Sequence, residues 1–202
     1  MQVISSKENE IVKNVRKLKE KKFRDLENAY LIEGIKLVKE AMAENAKIKQ
    51  IIMCEDYTDN VELDKDTLYE IAKYNVAYVT RNILNFITEV KTPQGIIAVV
   101  EKRNKNLEDT TALVDFSQDI ILALDDIQDP GNLGTILRTA DSANLKQILL
   151  SKNSADPYNP KVVRSTMGAI FRVNIIEVEN LKEELKKAQA NGFKVMVTSL
   201  DA

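Results

Sequence analysis

The densest run of chemistry-bearing residues is Asp125-Asp126-Ile127-Gln128-Asp129-Pro130-Gly131-Asn132-Leu133-Gly134-Thr135-Ile136-Leu137-Arg138-Thr139-Ala140. It follows an apolar strand and opens a helix. In α/β proteins that is where binding loops sit and where free backbone N–H groups attract anions. Asn132 lies near the expected N-cap and Arg138 six residues on, just under two turns along the helix. The two need not share a face, yet both can border one cleft if the loop folds back. Gly131-x-x-Gly134 matches neither the dinucleotide fingerprint nor a P-loop. Taken alone, the run also fits a plain Asn cap and a surface Arg.

Exclusions narrow the chemistry further. The 202 residues contain no histidine, so the chain itself supplies no Ser-His-Asp set, no H-E-x-x-H zinc site and no imidazole base. The lone Cys54 allows no internal disulfide and reads as an inert buried thiol suited to a reducing cytosol. Asp125 and Asp126 read as loop-holding carboxylates, and no metal is expected. The apolar runs are strand-sized, such as Ile120 to Leu124, and far below the roughly 18 to 20 residues of a spanning helix. The N-terminus lacks the features of a signal peptide, so no membrane partner and a cytoplasmic location are expected.

The elements that must position these residues follow from periodicity. Ser5-x-x-Glu8 has the form of a capping box, and Ile11, Val15 and Leu18 recur at helical spacing, which predicts one basic amphipathic helix over 6–23. Strand-like and helical stretches then alternate: Tyr30-Leu31-Ile32, Gly34 to Met42, Ile48 to Cys54, Asp64 to Tyr74, Val76 to Val79, a Thr80-capped helix to Ile87, and Ile96 to Val100 after Pro93-Gln94-Gly95. A polar, weakly patterned stretch covers 102–117. A second alternation runs through the Ile120–Leu124 strand, a helix from Leu133 to Ala143, Gln147 to Leu150, and an Asn159-Pro160 cap opening a helix toward Gly168. It continues through Phe171 to Val178, a helix from Leu181 stopped by Gly192, and a last strand, Phe193 to Val197. This is an α/β chain of two layered units. The six tyrosines (30, 57, 69, 74, 78 and 158) read as packing residues rather than base-stacking platforms.

Charge is unevenly spread. Residues 1–24 carry +5, residues 25–128 carry −9 and residues 129–173 carry +3, although the whole chain is formally −2. Basic segments on a near-neutral protein suggest a local footprint for a polyanion. For residues 1–24 the plainer alternative is a solvated helix face.

DPGNLGTILRTAD resembles the first motif of the SpoU, or TrmH-like, RNA 2′-O-ribose methyltransferases of the SPOUT superfamily, and Asn159 to Val173 resembles the second. Leu31-Ile32-Glu33-Gly34 and Thr92-Pro93-Gln94-Gly95 are similar to that family's N-terminal substrate-binding domain. The resemblance implies a small ribosomal-protein-like α/β N-terminal domain followed by a Rossmann-like α/β-knot methyltransferase domain. It divides the chain into a basic N-terminal helix (1–24), an RNA substrate-binding domain (25–101), a linker (102–117) and a methyltransferase domain (118–202). The third motif is not found before Ala202, so the catalytic domain is expected to be C-terminally truncated, and this chain by itself inactive.

The implied reaction moves a methyl group from S-adenosylmethionine to a ribose 2′-hydroxyl of structured RNA, ribosomal RNA in particular. By the same resemblance Asn132 orders the site, Arg138 contacts the target nucleotide, and Thr198, Ser199 and Leu200 line the cofactor's edge. Lys17, Lys21, Lys22, Arg164 and Ser165 are the RNA-contact candidates, with a helix-surface pair as the alternative for the last two. A guanidinium almost always stays protonated, so Arg138 suits charge stabilisation better than proton abstraction. The full-length protein is expected to be a homodimer. The rival readings are a non-catalytic RNA-binding module and, less favoured for want of a fingerprint, a nucleotide-dependent oxidoreductase.

Overall fold

The computed structural model describes residues 2–57, 64–103 and 113–198. Val3–Ile4 (β1) leads into two short helices, Glu10–Lys17 (α1) and Lys21–Glu27 (α2), in place of the single helix expected over 6–23. The start moves because Asn9, not Ser5, is the cap: its side chain accepts a hydrogen bond from the Ile11 N–H. The break at Leu18–Glu20 has a cause just beyond it in the chain. The carbonyls of Leu18 and Lys19, which a continuous helix would use internally, accept from the Arg24 guanidinium at 2.9 and 2.6 Å.

The next elements follow the sequence closely: Ala29–Glu33 (β2), Ile35–Ala43 (α3), Ile48–Cys54 (β3), Lys65–Ile71 (α4), Val76–Val79 (β4), Arg81–Ile87 (α5) and Ile96–Glu101 (β5). They build a mixed sheet in the order β1-β4-β3-β5-β2, with β1, β4 and β3 parallel and β5 antiparallel to both its neighbours. Its central strands are near-continuous apolar runs because both faces are covered: Ile51, Ile52, Ile96, Ile97 and Ala98 are all essentially inaccessible. Gly95 lies at φ 98° against the ring of Tyr57, a close approach that a side chain would block.

The second sheet is smaller and wholly parallel, in the order β6-β7-β8: Leu122–Leu124, Gln147–Ser151 and Asn174–Val178. Pro130–Ser142 (α6), Pro160–Ser165 (α7), a 3₁₀ turn at Ala169–Phe171 and Leu181–Ala190 (α8) connect and flank these strands. Three expectations change here. The strand expected from Ile120 shrinks to Leu122–Leu124, because only those residues find partners on β7, and Ile120 is 61% exposed. The strand expected from Phe171 begins at Asn174, after the 3₁₀ turn. Residues 193–198 form no strand: Met196 and Val197 stand in solvent and pair with none of the described strands. Alternating apolar residues make a strand only where a neighbouring edge takes their hydrogen bonds. Among the described residues no helix is long and apolar enough to cross a membrane.

The two sheets share packing. Tyr158, Val163, Ile170 and Phe171 from the second unit are buried in the same apolar cluster as the first sheet. Polar fasteners reinforce the joint. Arg24 is 2% exposed and pairs through Nε and Nη2 with Asp156, whose other carboxylate oxygen accepts from the Tyr158 N–H at 2.9 Å. Lys102 Nζ reaches Asp25 at 2.5 Å. Arg172 donates to Asp141 on α6 (2.9 Å) and to Glu40 on α3 (2.6 Å). Burial works against the charge of Arg172, but these carboxylates outweigh it and raise its pKa. Of the six tyrosines, Tyr69 does not pack: it is 68% exposed.

Candidate active site

Helix α6 carries the first motif. Its N-cap is Asp129, whose carboxylate accepts from the Asn132 N–H at 2.8 Å, and Pro130 takes the first helical position. Asn132 is therefore a turn inside the helix rather than at its cap. The loop before it is held by hydroxyls: Ser151 at the end of β7 accepts from the Asp126 N–H (2.8 Å), and Ser154 accepts from the Ile127 N–H (3.1 Å). Asp126 itself takes a left-handed conformation at φ 55°. These bonds place the start of α6 at the C-terminal edge of the parallel sheet, where open α/β sheets bind ligands.

Leu133, Gly134, Leu137 and Ala140 form the buried face of α6, while Asn132, Thr135, Arg138 and Thr139 are exposed. The Arg138 guanidinium has no hydrogen bond or ion pair among the described residues. A partnerless cation on a rigid helix is free to meet an anion, and holding it there needs no rearrangement of neighbours.

The two motifs meet at one residue. A Cβ placed on Gly134 would strike Ser165 of α7 and come within 3.0 Å of the Val162 carbonyl oxygen, so the glycine lets α7 lie directly on α6. The Ser165 hydroxyl turns back to the Lys161 carbonyl at 2.8 Å. Ser165 is thus committed to helix packing within this structure, while its neighbour Arg164 lines a small gap between the units with Lys19, Glu33 and Glu89. Burial pushes the Glu33 carboxyl up in pKa, against a hydrogen bond from Thr88 and the charge of Arg164. Replacing Gly134 with Ala is expected to destabilise the protein by about 1–3 kcal/mol despite alanine's better helix propensity, because backbone and Cβ atoms cannot step aside. A denaturant midpoint at or above that of the parent protein would show that the helices are not in close contact.

The other expected site residues are scattered. Lys17 and Lys22 are exposed, make no ion pair among the described residues, and lie 5.9 Å on either count from the Phe23 ring centroid. Lys21 is engaged instead, 3.5 Å from Glu177 on β8; burial lowers its pKa, but the Glu177, Asp156 and Asp25 charges prevail and raise it. Sequence reasoning missed a neighbouring cluster in which Lys7 and Arg16 sit over the Phe86 ring at 4.6 and 4.0 Å. The basic run hinted at the cations, but the ring comes from a helix seventy residues away. Thr198 is exposed, and Ser199 and Leu200 lie outside the described residues.

Comparison with known proteins follows this division of the chain. The SpoU rRNA Methylase family matches residues 119–202, and the MRM3-like substrate binding domain matches residues 9–98. The 23S rRNA (guanosine(2553)-2′-O)-methyltransferase RlmP of Bacillus subtilis is 34% identical over 200 residues, covering 99% of this chain and 74% of that protein. The mitochondrial rRNA methyltransferase 3 of Xenopus tropicalis is 34% identical over 78% of this chain, which spans only 37% of that longer protein. Among solved structures, the AdoMet-bound rRNA methyltransferase from Sinorhizobium meliloti superposes with a TM-score of 0.76 at 30% identity, over 94% of this chain and 68% of the other. The close seating of one motif's glycine on the other motif's serine, and a relative 34% identical along nearly the full chain, lead to the same place: this chain belongs to the SpoU rRNA methylase family.

Proposed function

We propose that the protein methylates a ribose 2′-hydroxyl of ribosomal RNA with S-adenosylmethionine as donor, Asn132 ordering the site and Arg138 meeting the target nucleotide. The observation that carries this reading is the unpartnered Arg138 on a helix locked to the second motif through Gly134 and Ser165. The sulfonium donor supplies the reactive methyl group when bound. This chain's own residues have the task of holding the RNA still and balancing the charge that grows on the ribose oxygen. Neither task needs an imidazole, which accords with the absence of histidine. In this reading the protein works in the cytoplasm, where its RNA is, and as a homodimer, which sedimentation at working concentration would test.

Isotope-labelled S-adenosylmethionine, incubated with a full-length protein carrying this chain and with ribosomal RNA, should leave label on one ribose, located by mass spectrometry of RNA fragments. RNA that binds but gains no methyl group would favour a non-catalytic RNA-binding module.

RNA contact is assigned to Lys17 and Lys22, with Arg164 at the joint between the units. Lys21, tied to Glu177, and Ser165, tied into the helix contact, take lesser parts. Replacing Lys17 and Lys22 together with alanine should weaken RNA binding and flatten its salt dependence by about 1.5 in log–log slope. Lys21→Ala should change the slope less. A slope untouched by the double replacement would return this helix surface to a purely solvating role.

A further inference from the structure

We propose that Met167 is a positioning residue that holds the base of the target nucleotide beside Arg138; the inference rests on the methyltransferase reading above. Three observations meet at this side chain. It is 57% exposed, one of few large apolar side chains so placed among the described residues. Its backbone sits at φ 51°, in the left-handed region where glycine is favoured and an unbranched side chain is strained. The position follows the C-cap of α7, Thr166, where helices commonly place a glycine. The chain has a glycine next door, Gly168, also at positive φ and closed against Glu40. A methionine at this spot stays more than half exposed, so burial does little to offset its strain.

The surroundings indicate what it faces. Gly134, Arg138 and Asp141 lie at i, i+4 and i+7 on α6 and therefore on one stripe of that helix. Ser165 sits against the Gly134 end of the stripe and Arg172 bonds to the Asp141 end at 2.9 Å. The segment joining those two residues is therefore anchored to α6 on either side of Arg138, and Met167 is its exposed apolar side chain. A free guanidinium on that stretch of α6 and a polarisable thioether on the segment anchored across it match the two parts of a nucleotide. The charge suits the phosphate or ribose oxygen, and the sulfur and methylenes suit the flat face of a base. The bond from the Met167 N–H to the Arg164 carbonyl (3.3 Å) ties this strained turn to α7, whose seat on α6 is set by Gly134.

Met167→Gly and Met167→Leu in the full chain separate a structural role from a functional one. Glycine removes the strain, so its thermal midpoint should stay at or slightly above the parent's. Its KM for ribosomal RNA, and its Kd by fluorescence anisotropy, should nevertheless rise about tenfold, as for loss of one base contact. Leucine keeps the apolar surface and should restore most of the RNA affinity without changing the midpoint. A glycine variant with parental KM and Kd would overturn the proposal and leave Met167 a strained cap. A leucine variant as weak as glycine would overturn it too. If the parent protein binds RNA but transfers no methyl group, the methyltransferase reading fails separately, and the Kd of the variants still decides whether Met167 touches a base.

Discussion

Arg138→Ala is expected to reduce methyl transfer by about 10²- to 10³-fold, the usual loss when one preorganised charge-stabilising donor is removed from a reaction site. The fall should appear mainly in kcat, since the charge on the ribose oxygen is fullest in the transition state. Stability should hold within about 0.5 kcal/mol, because the side chain is exposed and has no hydrogen bond or ion pair among the described residues. Arg138→Lys keeps the charge but loses the planar fork, so it should recover only part of the rate. Single-turnover transfer into ribosomal RNA, read beside a melting curve, checks all of this together. Unchanged transfer would remove Arg138 from the mechanism, whereas a collapsed melting curve would mean that its role is structural.

The second large effect lies far from the chemistry. Arg24→Ala should cost about 3–5 kcal/mol, because it strands the Asp156 carboxylate at 8% side-chain exposure and leaves the Leu18 and Lys19 carbonyls without their donor. At roughly 2–4 °C per kcal/mol for a chain of this size, the melting midpoint should drop by about 10 °C. Asp156→Ala should be comparably severe, since it leaves a buried guanidinium without its counter-charge. Removing both charges together, as Arg24→Met with Asp156→Leu, should recover much of the loss, because a buried pair is replaced by apolar groups at little net penalty. A double variant as unstable as the sum of the singles would mean that the pair is not coupled. The same fastener carries functional weight: it anchors the turn between α1 and α2, and with it the Lys17–Phe23–Lys22 surface, to the unit that holds Arg138.

Much of this architecture was legible in the residues. Continuous apolar runs such as Ile96 to Val100 announced buried strands, and Asn159-Pro160 announced a helix start that forms as expected. The resemblance of two motifs identified the chemistry before any coordinate. Less legible were the elements whose limits depend on distant groups. Periodicity favoured one helix over 6–23, and nothing nearby revealed that Arg24 would be buried against Asp156, 132 residues on, and would take the carbonyls of Leu18 and Lys19. The alternation at Phe193 to Val197 looked like a strand, but strand formation is a property of a pair of edges and a sequence shows only one. Lys21 and Lys22 are equivalent as letters, yet one faces Glu177 and the other solvent.

By itself, then, the sequence determined the α/β class, the order of most elements, and the two motifs that carry the proposed site residues Asn132 and Arg138. Those are short-range properties, written in spacing, caps and turns within a few residues of one another. Only the tertiary structure decided which cations among the described residues are free and which are committed, that Gly134 is the seat for Ser165, that Arg172 clasps three carboxylates, and that the segment carrying the strained Met167 is anchored to α6 on either side of Arg138. Contacts such as Arg24 with Asp156 or Arg172 with Glu40 join residues 132 positions apart. No local propensity encodes such a meeting; it arises when buried apolar faces choose their partners and carry every attached charge with them.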